Sequence, residues 1–245
     1  MLNPSWKTTQ KLLTKHKDDL LYCYTQHQIE DGHPHVRQTR SSPNWEGGMV
    51  TYATCKHQMR TWLSEEEWLG TWICGLNPSN IDNTVLFIGQ VSHVFDGNYS
   101  LRKYVKENHP DVFQHKNADK NPRGDLYRPK KKVVPPNKRH DHRFFHEPPN
   151  HTRSLETYSK SPGTGPGPMP KWWRDYEYEL HGKKPPVFIL EPCLLFPVPS
   201  FTLADLKPGR ATLKLSVGEL LASLRKTWGT ALHDRLESTR VRRDT

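Results

Sequence analysis

Asp125 lies in Pro122-Arg123-Gly124-Asp125-Leu126-Tyr127, an acid directly after glycine and two residues before a phenol. In a turn, such a carboxylate bonds its own backbone. Facing a ligand, Asp125 and Tyr127 can hydrogen-bond the edge of a base. Upstream, Lys56 and Arg60 follow the strand-like run Met49 to Cys55 and are expected at its end, where cations meet phosphate or carbonyl oxygens. Tyr52 in that run and Trp72 in the next are rings that either fill a core or stack on an unpaired base, at about 1–3 kcal/mol per base. For general acid–base work the candidate catalytic pair is Lys56 and Asp125, which would need hydrogen-bond reach of a reacting proton and shifted acidities. The candidate binding set is Tyr52, Lys56, Arg60, Trp72, Asp125 and Tyr127.

Other chemistries lack a framework. Gly163, Gly165 and Gly167 imitate a phosphate-binding glycine pattern, but no strand leads in, no helix follows and proline occupies intervening positions. The groupings His33/His35, His109/His115 and His140/His142/His146 do not read as a metal site. The last group sits among Lys138, Arg139 and Arg143, whose charge opposes a cation, and zinc needs three or four converging donors. No metal and no cofactor is expected. Glu65-Glu66-Glu67 reads as an exposed helix N-terminus, where negative charge suits the backbone dipole. The cysteines at 23, 55, 74 and 193 form no CxxC pair and are expected to be reduced and structural, as in cytoplasm or nucleus.

Charge and composition narrow the class further. Thirty-six Lys and Arg face 26 Asp and Glu, a net charge of +10, while hydrophobic residues make up only 33% of the 245. Folded domains carry about 45–50% apolar residues, so part of the chain is expected not to fold. No run of 18 apolar residues exists and the N-terminus is polar and charged, which disfavours a membrane span or a secretory route. Cations with interleaved rings, as in Lys171-Trp172-Trp173-Arg174, suit nucleic acid, because lysine and arginine bind phosphate by displacing counterions.

The elements that must position these residues can be read from periodicity. Residues 1–19 form a polar lead-in with a helical turn or two around Leu12 and Leu13. Strands are expected at Leu20–Tyr24, Met49–Cys55, Thr71–Gly75 and Val85–Val91, the last apolar enough to be shielded on both faces. Tyr99, Leu101, Tyr104 and Val105 recur at helical spacing over 98–108. Residues 128–170 hold nine prolines and a basic run, with seven Lys or Arg against one Asp between Arg128 and His146, and are expected to be a disordered insertion. Two strands, Val187–Leu190 and Leu194–Phe196, are expected to return over 171–216, interrupted by Pro192. A helix from about Val217 in the closing segment 217–245 carries Leu221, Leu224, Trp228, Leu232 and Leu236.

Set in order, Ala53-Thr54-Cys55-Lys56 with Arg60, Gly70-Thr71-Trp72-Ile73-Cys74-Gly75, Val85–Val91 and Gly124-Asp125-Leu126-Tyr127 resemble the nucleotide-modification-associated domain family of the second type. That family runs ATCKP…R, GDWVVG, LVYAMRV, a short YW segment and GDNIY, so the likeness covers about residues 20–130. Thr71 replaces the family's aspartate, no proline follows Lys56, and Leu194-Leu195-Phe196-Pro197 only approximates its terminal FYYFG. The resemblance implies a small α+β domain that accompanies enzymes modifying nucleotides or bases. At fold level it is also similar to barrel modules of the PUA, ASCH and EVE group, which bind modified bases or RNA.

The sequence therefore predicts an α+β protein with a mainly antiparallel, barrel-like sheet, one domain spanning 20–127 and 171–216. It is expected in nucleus or cytoplasm, recognising nucleotides or modified bases in nucleic acid. The alternatives are an enzyme using Lys56 and Asp125, and a protein-interaction module. The last predicts an uncovered apolar stripe at Leu221, Leu224, Trp228 and Leu232.

Overall fold

Ser5 accepts a hydrogen bond from the Thr8 amide and so starts helix α1 (Trp6–Lys15). The computed structural model describes residues 4–25, 43–53, 56–76, 85–117, 125–126, 185–196 and 212–226. After α1 come strand β1 (Leu20–Thr25), a 3-10 turn (Glu46–Gly48), β2 (Val50–Tyr52), two one-turn helices α2 (His57–Arg60) and α3 (Glu65–Trp68), β3 (Trp72–Leu76) and β4 (Val85–Phe95). Helices α4 (Asn98–Asn108) and α5 (Pro110–Lys116) follow, then β5 (Val187–Leu195), β6 (Leu213–Ser216) and a helix, α6, over 217–226. The six strands form one mixed sheet in the order β2-β5-β4-β3-β1-β6. It is mostly antiparallel and not closed, and the α+β class is as expected. β1 and β3 run parallel, with Cys23 opposite Cys74.

The chain divides into two compact units. The first comprises 1–37, 70–91 and 192–245, and its core joins Leu13 of α1, Leu21 and Cys23 of β1, Trp72, Cys74 and Leu76 of β3, and Val217, Leu220, Leu221 and Leu224 of α6. Leu13 is 0% exposed. The segment expected to be a polar lead-in is therefore a ten-residue helix with Trp6 and Leu12 also on the core. Burial of a few large side chains outweighs its poor apolar content. Gly75 is required by close packing: a Cβ there would meet the Phe87 ring at 2.1 Å. Ser216 and Glu219 cap α6 reciprocally, each accepting from the other's amide. Cys23, Cys74 and Cys193 are buried, and burial raises the Cys74 thiol well above its usual range.

The second unit comprises 38–69 and 92–191. Its core contains Ala53, Leu101, Val105, Phe113, Leu126, Val187 and Ile189. Nearby, Phe188 meets the rings of Tyr52 (5.9 Å) and Trp68 (5.0 Å). Ser64 and Glu67 form a second reciprocal cap, which holds the Glu67 carboxyl below its ordinary range through the Ser64 amide.

Two further expectations change. The two late strands are one, β5, which runs through Glu191 and Pro192; both are exposed, where a missing amide costs least. In α6, Leu221 and Leu224 are buried in the first unit's core, so the apolar stripe that the interaction-module alternative needs uncovered is covered at these positions. Trp228, Leu232, Leu236, the insertion at 128–170 and the His33/His35 and His140/His142/His146 groupings lie outside the described residues.

Candidate functional site

A wholly buried cluster of polar side chains sits in the second unit, around Lys116. This lysine is at the last turn of α5, three residues after Phe113, and both side chains face the interior. Opposite it is the Glu46–Gly48 turn. Gly47, at φ +70°, lets the turn approach α5 so closely that a Cβ would fall 3.1 Å from His115 Cβ and 3.2 Å from the Val112 carbonyl. That approach delivers Asn44, and the Asn44–Thr51 bridge brings Thr51 with it.

Lys116 is 0% exposed, yet its ammonium is well served. Nζ donates to the Asn44 carbonyl (2.8 Å), Asn44 Oδ1 (2.9 Å) and Thr51 Oγ1 (2.9 Å). Asp125, also 0% exposed, enters from the Asn117–Leu126 bridge. Thr51 Oγ1 donates to Asp125 Oδ2 at 2.5 Å, and Asp125 Oδ1 lies 3.8 Å from Lys116 Nζ. The threonine hydroxyl thus accepts from the lysine and donates to the aspartate. Asp125 Oδ1 has no hydrogen-bond partner among the described residues. Loss of water pushes Lys116 down to about 8 against the pull of Asp125 and Glu46. It also raises the Asp125 carboxyl, against Lys116 and the Thr51 hydrogen bond. Burial of both charges costs several kcal/mol per ion before their attraction offsets it, and such perturbed groups concentrate at functional sites.

Of the residues singled out from sequence, only Asp125 belongs to this centre. Its cation is Lys116, a residue the sequence reading passed over; the Phe113–Lys116 spacing, one helical turn, was the available signal. Lys56 caps α2 with φ 49° and ψ 49°, a left-handed conformation rare for a side chain other than glycine or asparagine. Arg60 lies within α2, not at a strand end, and is 0% exposed. Its Nη1 donates to the carbonyls of Pro185 (3.2 Å) and Pro186 (2.6 Å), while its own carbonyl accepts from Trp68 Nε1 (2.9 Å). That guanidinium tethers the start of β5. Tyr52 is 0% exposed and stacks on Phe188 at 19° between planes, so its ring serves the core. Tyr127 lies outside the described residues.

Trp72 belongs to the first unit and is 0% exposed. Its Nε1 donates to Asp19 Oδ2 (3.2 Å), and the same oxygen is 2.8 Å from His16 Nδ1. The His16 ring lies against the indole, centroids 5.2 Å apart. This unit also carries the described residues' basic excess, seven Lys and Arg against three Asp and Glu, whereas the second unit has six against nine. Lys7, Lys11 and Lys15 recur every four residues on α1, and all three are exposed. Positions so spaced share one helix face.

Among the described residues no group of three or more His, Cys, Asp or Glu could hold a metal ion, and no helix is long and apolar enough to cross a membrane. Comparison with known protein families, with curated proteins and with solved structures finds no match to this chain.

Proposed function

We propose that the protein binds nucleic acid by its phosphates and recognises a nucleotide or base through Asp125. The observation that carries the first part is the lysine face of α1, three exposed ammonium groups one turn apart in a unit whose described residues hold excess positive charge. Such a row matches a polyanion and draws it by counterion release. The second part rests on the fully buried Asp125 carboxylate, whose Oδ2 is held by Thr51 while its Oδ1, 3.8 Å from Lys116 Nζ, has no hydrogen-bond partner among the described residues. A base edge with an amino or imino hydrogen supplies that donor, and leaving it unmet costs about 1–3 kcal/mol or more for a charged group. Association with base or nucleotide modification, as the family resemblance implies, is consistent with this reading.

An enzymatic reading is carried by the same centre with a changed cast. Lys116 replaces Lys56 as the partner of Asp125, and Thr51 bridges them. Burial makes Lys116 a stronger acid and the Asp125 carboxyl a weaker one, which brings the two groups nearer to proton exchange at neutral pH.

Nucleotide titrations followed by heteronuclear NMR test the base reading. Nucleotides whose base bears a donor should shift the Asp125 and Thr51 signals, and Asp125→Asn, which exchanges an acceptor for a mixed group, should abolish or redirect that preference. Identical weak shifts for every nucleotide, centred elsewhere, would refute it. A Lys7→Gln/Lys11→Gln/Lys15→Gln variant, altered only at exposed positions, should fold normally and bind oligonucleotides more weakly.

A further inference from the structure

The first unit holds a second arrangement that the binding reading does not use. His16 closes α1, its side chain 21% exposed, and its Nδ1 is 2.8 Å from Asp19 Oδ2. The same oxygen accepts from Trp72 Nε1, and Trp72 is locked in β3 in register with Leu21 of β1. A carboxylate that takes two donors on one oxygen is fixed in place, and it fixes the imidazole with its proton on Nδ1. Nε2 is then the basic nitrogen. A histidine serving only as a helix cap needs neither the carboxylate nor the indole. Base, orienting carboxylate and an anchor for that carboxylate are the parts of an oriented proton acceptor. Lys15 and Lys17, the neighbours of His16 in sequence on either side, are exposed cations beside it.

We propose that His16 is a general base that cleaves RNA, a step resting on the nucleic-acid reading above. His16 Nε2 takes the proton of a ribose 2′-hydroxyl. The 2′-oxygen forms a bond to the adjacent phosphorus as the bond from phosphorus to the 5′-oxygen breaks, and that oxygen leaves with a proton from water. The products are a 2′,3′-cyclic phosphate and a 5′-hydroxyl, and the imidazolium returns its proton to solvent. No oxidant, metal or co-reactant enters the balance. Lysine ammonium groups offset the charge that develops on the phosphoryl oxygens. DNA lacks the 2′-hydroxyl and is bound without being cut. Asp19 and Trp72 are positioning residues.

The test is incubation of the full chain with matched RNA and DNA oligonucleotides, binding and product ends being measured together. RNA cut to 2′,3′-cyclic phosphate ends, intact DNA, and a rate at least 100-fold lower in His16→Ala and His16→Gln at unchanged affinity support the proposal. Asp19→Asn should lower the rate and alter its pH profile while RNA affinity holds, which a merely structural role for Asp19 would not do. RNA bound but uncut, or cut equally by His16→Ala prepared in the same way, overturns the proposal and leaves nucleic-acid binding standing. Failure to bind either polymer overturns both.

Discussion

Replacing Lys116 with methionine keeps the length of the side chain and removes its charge and three hydrogen bonds. Asn44 then loses two donors, Thr51 loses one, and Asp125 stays buried without its cation. Breaking one side of a buried pair costs about 3–5 kcal/mol, because the other charge is left uncompensated. At about 2–4 °C per kcal/mol for a chain of this size, the melting temperature should fall by roughly 6–20 °C. Lys116→Met/Asp125→Asn, which removes both charges, should recover at least half of that loss. Urea unfolding of wild type, both single variants and the double variant closes the cycle. A loss under about 1 kcal/mol for Lys116→Met, or a double variant equal to the sum of the singles, would refute the centre as a coupled pair.

The same centre sets a pH dependence. Lys116 is pushed down to about 8 in the folded protein, so between about 8 and its ordinary value the unfolded chain binds the extra proton and stability rises with pH. With a shift of about 2.5 units, the gain is bounded at about 3 kcal/mol. Asp125 acts in the opposite sense. Its acidity is weakened by burial, so the folded chain holds the proton longer and stability falls as pH rises from the ordinary aspartate value through the raised one. Relative to the doubly neutral variant, wild type should therefore be least favoured near neutrality and gain on both sides. A flat difference from pH 4 to 10 would contradict this.

Three further outcomes follow from packing. Gly75→Ala should cost about 1–3 kcal/mol through collision with Phe87, and Phe87→Leu should relieve part of it; an unchanged melting temperature would refute the close approach. Arg60→Met should destabilise the second unit by leaving the Pro185 and Pro186 carbonyls without their buried donor, measurable as faster amide exchange in β5. Ser216→Ala should cost about 1 kcal/mol by uncapping α6, with no effect on Lys116-dependent pH behaviour.

Elements with dense apolar patterns were legible in the sequence. β1, β3 and the start of β4 lie where runs of apolar residues demanded burial, and the helical spacing over 98–108 matches α4 residue for residue. α1 was under-read because its core contribution comes from only three side chains, Trp6, Leu12 and Leu13, set among lysines and threonines. β5 continues through Pro192 because the proline sits at an exposed position, which sequence alone does not reveal. The candidate site was half legible. Asp125 was noticeable after its glycine, but Asn44, Thr51 and Lys116, which complete the centre, are joined by a turn pressing on a helix, and hydrogen bonds across 65 to 74 residues leave no local trace. Charge also misled: Lys116 and Arg60 carry the signature of solvated residues and are instead wholly buried donors.

The proposal of phosphate binding is met most directly by salt titration of single-stranded oligonucleotide affinity, comparing the wild-type chain with Lys7→Gln/Lys11→Gln/Lys15→Gln. Affinity should fall steeply from 50 to 200 mM salt. The triple variant should show a logarithmic slope shallower by about 2, or about 0.7 for each lysine that engages a phosphate. Affinity indifferent to salt, or a slope unchanged by loss of all three ammonium groups, would contradict it.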